Sequence, residues 1–148
     1  MENLNAKQTE EALAEIYRNA QLALQSISNI LPAVEDEEIK NELHIQHEEY
    51  ERISARASML AKDKHIELKN PNPVKKVMMW GSIKMSTLTD NSRSHIADMM
   101  LQGTVMGITA LRKTLGEIKP GGDEEIVSLL KEMLAKEEEF EKTWKSYL

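Results

Sequence analysis

The chain has 148 residues, no cysteine and a net charge of −6 at pH 7, with 25 acidic against 19 basic side chains. That length suits a single domain with a sizeable core, and the missing cysteines exclude disulfides, thiolate zinc sites and a cysteine nucleophile. Six aromatic residues in an acidic chain lack the clustered cations and stacking surface that nucleic acid requires, so no nucleic-acid partner is expected.

Residues 1–9 are polar, and no run nears the roughly 18 apolar residues of a membrane span, which gives the expectation of a soluble, cytoplasmic protein. All four prolines, Pro32, Pro71, Pro73 and Pro120, fall between segments of helical apolar period, where their missing N–H does no harm. The first segment, about 7–31, sets Leu13, Ile16, Tyr17, Ala20, Leu24, Ile27 and Leu31 at three- and four-residue steps, with Asn5 and Gln8 as a capping pair.

After Pro32 the acidic run Glu35-Asp36-Glu37-Glu38 suits a helix N-terminus, and Ile39, Leu43, Gln46, Tyr50, Ile53, Ala57 and Leu60 carry a second helix to about residue 62. The short link makes these two helices antiparallel neighbours and brings Tyr17 and Tyr50 to one level. A polar linker, 63–72, leads to Asn72-Pro73, which starts a shorter helix over about 73–88.

Thr89-Asp90-Asn91-Ser92 reads as a break or a recapped helix start, before a helix over about 92–118. A single kinked helix over 73–118 is the alternative, and at about 68 Å it overshoots its partners. Pro120-Gly121-Gly122 forms a turn, Asp123 caps, and Ile126, Leu130, Met133, Glu137, Phe140, Trp144 and Tyr147 mark the last helix.

The expected fold is therefore an all-α, antiparallel four-helix bundle with an additional shorter helix between the second and third long ones. Its connectivity is ferritin-like if residues 64–91 traverse the bundle, and up-down if they fold locally.

Three stretches carry a resemblance. Leu31-Pro32-Ala33-Val34-Glu35-Asp36-Glu37-Glu38, Ser94-His95-Ile96-Ala97-Asp98-Met99-Met100 and Gln102-Gly103-Thr104-Val105-Met106-Gly107-Ile108 resemble segments of an uncharacterised bacterial family in the ferritin-like superfamily. The resemblance implies that superfamily's four-helix fold and carries no chemistry of its own.

Two-metal enzymes of the superfamily take a carboxylate from each of two helices and a Glu-x-x-His from each of the other two. Here Asn41, His44, Lys62 and Ser92 stand three positions before His44, His47, His65 and His95, so the standard di-iron motif is absent.

What remains as a metal-ligand set for iron or manganese is His47, Glu51, Glu137 and His95. His47 and Glu51 are one helical turn apart, as are His44 and Glu48, although a solvated helix flank reads the same way. His95 lies on an apolar stripe near Asp98, where a structural hydrogen bond competes with a ligand role.

Glu137 stands at a core position between Met133 and Phe140, where an unpaired carboxylate is costly, and it counts level with Gln102, Gly103 and Thr104 across the Pro120 turn. Gly103 and Gly107 permit close helix approach, within the chain or across a homodimer. Six of the nine methionines lie within 78–106, near Trp80, Lys75, Lys76 and Lys84, a candidate protein-binding face.

Three functions follow as expectations. The first is a noncatalytic binding or oligomerising module, the second a metal-dependent oxidoreductase with an atypical site, and the third a peripheral membrane protein docking through 73–88.

Overall fold

The computed structural model describes residues 2–69 and 90–148. Among these residues four α-helices pack together and no strand occurs: α1 (Glu2–Ile30), α2 (Glu37–Asp63), α3 (Arg93–Glu117) and α4 (Glu124–Ser146), with a 3-10 turn at Leu31–Ala33 between α1 and α2. The expected helix over 73–88, with Met78, Met79, Trp80 and Met85, lies outside the described residues. No helix among them is long and apolar enough to cross a membrane.

Short polar side chains fix three of the helix starts. Asp36 accepts from the Ile39 amide at 3.1 Å, Ser92 from the His95 amide at 3.4 Å, and Asp123 from the amides of Glu125 and Ile126 at 3.0 and 3.2 Å. Each bond satisfies an N–H that has no partner within its own helix. Glu37 and Glu38 in the first turn of α2, and Lys62 in its last, complement the helix dipole.

The first helix begins earlier than the sequence pattern suggests, so Asn5 lies inside α1 instead of capping it. The Gln8 side-chain oxygen accepts from the Lys119 amide at 3.4 Å. The kinked 73–118 alternative also fails, because Ser92 is extended, with φ −63° and ψ 152°, and residues 90–92 are not helical.

The turn before α4 needs a left-handed backbone, and Gly121 supplies it with φ 92°. Packing is most extensive between α1 and α2 and between α3 and α4, while α1 also touches α3 and α4, and α2 touches α4.

The core is one cluster. Leu13, Ile16 and Ile27 of α1, Leu43 and Ile53 of α2, Ile96 and Leu111 of α3, and Leu129, Met133 and Trp144 of α4 are buried in it. Tyr17, Leu24 and Leu31, expected on the first stripe, are only partly buried and flank it.

Ion pairs tie the ends of the helices together. Arg93 grips Asp36 at 2.8 Å and lies 5.5 Å above the Tyr147 ring, and Lys64 reaches Asp123 at 2.6 Å. Asp36 is held below the usual carboxylate range, chiefly by its Arg93 hydrogen bond and then by the Ile39 amide.

Candidate functional site

Side chains that are polar and nearly excluded from solvent are few in this core: Ser26, Gln46, Ser54, Thr104 and Glu137 among the described residues. Most of them are paired. Gln21 donates to Ser54 at 2.7 Å, Thr104 donates to the Met100 carbonyl at 2.8 Å, and the Trp144 indole donates to Gln46 at 3.2 Å. The Ser26 hydroxyl, His95 Nε2 and Glu137 Oε2 are buried without a hydrogen-bond partner among the described residues.

Glu137 is the one carboxyl in this group, and it is 3% exposed. It sits on the inner face of α4 between Met133 and Phe140 because the apolar period of that helix carries it there. Burial pushes its pKa up to about 8, and the Tyr50 hydroxyl directed at the same carboxyl pulls the other way by hydrogen bonding. Burial, reinforced by the neighbouring carboxyl, raises the Tyr50 phenol well above its ordinary range. The Tyr50 ring is tilted against Phe140, with centroids 5.5 Å apart.

Beside Glu137 is a cavity of about 20 Å³ to which all four helices contribute: Asn19 from α1, Tyr50 from α2, Gly103, Thr104 and Gly107 from α3, and Glu137 from α4. Glycine at 107 makes the room. A Cβ there would lie 3.4 Å from Glu137 Oε1 and 3.6 Å from Asn19 Oδ1, so two oxygen atoms converge on the space a side chain would take. At Gly107 the missing side chain thus leaves room for side-chain atoms of Glu137 and Asn19.

Asn19 is oriented from behind. Its Nδ2 donates to the Glu15 carbonyl and to Glu15 Oε1, both at 2.9 Å, which commits the amide hydrogens and leaves Oδ1 to face the cavity. Glu15 is in turn paired with Arg18. A chain of polar groups therefore runs from the rim of α1 to the buried acid.

The four residues expected as a metal set are not brought together. His47 Nδ1 and Glu51 Oε1 pair with each other at 2.7 Å on a partly exposed flank of α2. His95 occupies the first turn of α3, with Nδ1 3.9 Å from Asp90 Oδ2. Glu137 is alone in the core. Among the described residues no three His, Cys, Asp or Glu side chains gather as a metal-holding group, and residues 70–89 contain none of these types. The donors present do not fit a two-metal carboxylate centre, because helix rotation sends His47 and Glu51 outward while Glu137 points inward.

Gly103 and Thr104 line the Glu137 cavity, as their level with Glu137 predicts, whereas Gln102 turns outward and donates to Asp98 at 3.1 Å. Sequence reasoning missed Asn19. It lies between the stripe residues Ile16 and Ala20 yet points sideways to α3, and the available signal was a carboxamide one turn after Glu15. It also missed the Gln46–Trp144 bond, although both residues stood on the apolar stripes of their helices. Of the methionines in 78–106 within the described residues, Met99 and Met100 are core and Met106 is exposed.

No protein-family model, no curated protein and no solved structure matches this chain.

Proposed function

We propose that this chain is a noncatalytic binding module, an antiparallel four-helix bundle of ferritin-like architecture in which Glu137 receives a small guest between the helices. The observation that carries the reading is a carboxyl 3% exposed whose Oε2 lacks a partner among the described residues and beside which lies a cavity of about 20 Å³. A space of that size holds one water-sized guest, and a buried polar atom without a partner costs roughly 1–3 kcal/mol unless a guest supplies the bond.

The antiparallel arrangement is supported by pairings between α2 and α4. Gln46 meets Trp144, Tyr50 meets Phe140, Arg52 meets Glu132 and Lys64 meets Asp123, so one sequence number rises as the other falls. A metal-dependent oxidoreductase has less support, since a His–carboxylate pair and an isolated acid fall short of the three protein ligands a catalytic metal site usually keeps.

The test is water–amide cross-relaxation by NMR at pH 6, where the carboxyl is protonated. A guest water with a long residence time gives cross-peaks to the amides of Thr104 and Gly107, and these disappear in Gly107→Ala. Absence of such cross-peaks in the native chain would remove the reading.

A further inference from the structure

The chemistry of the cavity wall selects the class of guest. Asn19 spends its amide hydrogens on Glu15, and Thr104 spends its hydroxyl hydrogen on the Met100 carbonyl. Tyr50 directs its hydroxyl at Glu137. What converges on the space beside Gly107 is oxygen, Glu137 Oε1 and Asn19 Oδ1, and Tyr50 and Thr104 line the same cavity, while Glu137 Oε2 has no partner among the described residues. With Glu137 ionised, such a wall accepts a hydrogen-bond donor or a bare cation.

Charge narrows the choice further. Among the described residues Glu137 is the only ionisable carboxyl lining the cavity. The groups facing it are Asn19 from α1, with the Glu15–Arg18 pair behind, Tyr50 from α2, and Thr104 from α3, which brings no charged side chain. Calcium sites use six to eight oxygen ligands, commonly with several carboxylates, and magnesium sheds its water reluctantly. One carboxylate balances one positive charge, and a cavity of about 20 Å³ holds one guest of water size.

A surface hollow of about 280 Å³ lies between α1 and α3 and is lined by Glu11, Glu15, Arg18 and Glu117 among others. Carboxylates outnumber the guanidinium there, which concentrates cations at its mouth. Glu15 belongs to that hollow and also holds Asn19, which belongs to the cavity.

We propose that the Glu137 cavity is a monovalent-cation site in which an alkali cation and the carboxyl proton are alternative occupants. The exchange balances simply: the O–H bond of the Glu137 acid breaks, its proton passes to solvent or buffer, and the carboxylate left behind holds the cation with Asn19 Oδ1 and the hydroxyl oxygens. No bond to carbon changes and no electron moves. This inference rests on the binding-module reading and adds the identity of the guest.

The experiment is thermal unfolding of the full chain at fixed ionic strength, with choline chloride replaced in steps by sodium, potassium or rubidium chloride, at pH 6 and pH 9. Expected at pH 9 is a saturable rise in midpoint for at least one alkali ion, roughly 3–8 °C at tenfold to hundredfold excess over its dissociation constant. At pH 6 that rise falls to near zero, and in Glu137→Gln it is absent at both pH values, which separates a site from a general salt effect. A pH-stat measurement at pH 7.5 should show proton release on adding the same ion to the native chain and none with Glu137→Gln.

Alkali salts indistinguishable from choline at pH 9 would overturn the proposal. If the amide cross-peaks to water at pH 6 nonetheless persist, the binding reading survives with water as its guest. If they are also missing, both readings fall.

Discussion

Two buried polar positions on the same pair of helices behave in opposite ways. Gln46 of α2 meets Trp144 of α4, and both are fully buried. Its oxygen accepts from the indole at 3.2 Å while its nitrogen donates to Glu42 at 2.9 Å. Tyr50, one turn along α2, meets Glu137 of α4, where a carboxyl oxygen has no partner and a cavity adjoins it. The first pair closes its hydrogen bonds internally and so acts as a structural pin. The second leaves a bonding demand unmet among the described residues at nearly the same depth, and that demand is what makes it the candidate site.

The largest expected effect is the pH dependence of the open pair. A carboxyl whose folded pKa of about 8 exceeds its ordinary 4.5 binds its proton more tightly in the folded chain. Its contribution is complete below pH 4.5 and is lost as pH rises through about 8, up to an upper bound of roughly 5 kcal/mol. Urea unfolding of native and Glu137→Gln chains in choline buffers from pH 5 to 9.5 measures it. The native chain should weaken steadily relative to the variant, and parallel curves would show that Glu137 is not buried as a neutral acid. Asp36, held low by Arg93, has the opposite slope in acid, and the difference between the two chains cancels it.

The closed pair should respond without regard to pH. Trp144→Ala removes the largest fully buried side chain among the described residues and should cost about 3–5 kcal/mol, as a large aromatic core truncation usually does. Gln46→Leu keeps the volume but strands the indole N–H and the Glu42 contact, at about 1–3 kcal/mol. Both losses, read from chemical denaturation at pH 5 and pH 9, should agree between the two pH values. A Gln46→Leu chain as stable as the native one would show that the indole bond pins nothing.

The sequence made the helices legible because period and punctuation agreed. Ser92 and Asp123 cap where their residue types predict, and Pro32 and Pro120 fall between helices. The start of α1 was not legible, since the amphipathic pattern begins only after several polar helical residues. The depth of Glu137 followed from its position between Met133 and Phe140, and its level with Gly103 from counting across the Pro120 turn.

The metal set was a different matter. His47 and Glu51 share a helical turn with each other, and that spacing says nothing about whether their side of α2 faces Glu137. Asn19 escaped notice for a related reason: its role depends on how α1 is rotated against α3, and a one-residue rotation moves a side chain by about 100°.

The smallest expected effect is also the one that couples the two regions least. Gly107→Ala places a Cβ 3.4 Å from Glu137 Oε1 and 3.6 Å from Asn19 Oδ1, ordinary contact distances. Replacing a mid-helix glycine by alanine favours the helix by up to about 1 kcal/mol. On the binding-module reading, filling the cavity displaces the guest of Glu137, which offsets part of that gain. At pH 6 the variant should therefore be more stable than the native chain by about 0.5 kcal/mol, with the Gln46–Trp144 region unchanged in its tryptophan fluorescence. At pH 9 the sign should reverse in saturating alkali chloride, because only the native chain still has room to neutralise the buried carboxylate. A gain that is the same at both pH values would mean the space beside Gly107 is packing slack and Glu137 draws nothing from it.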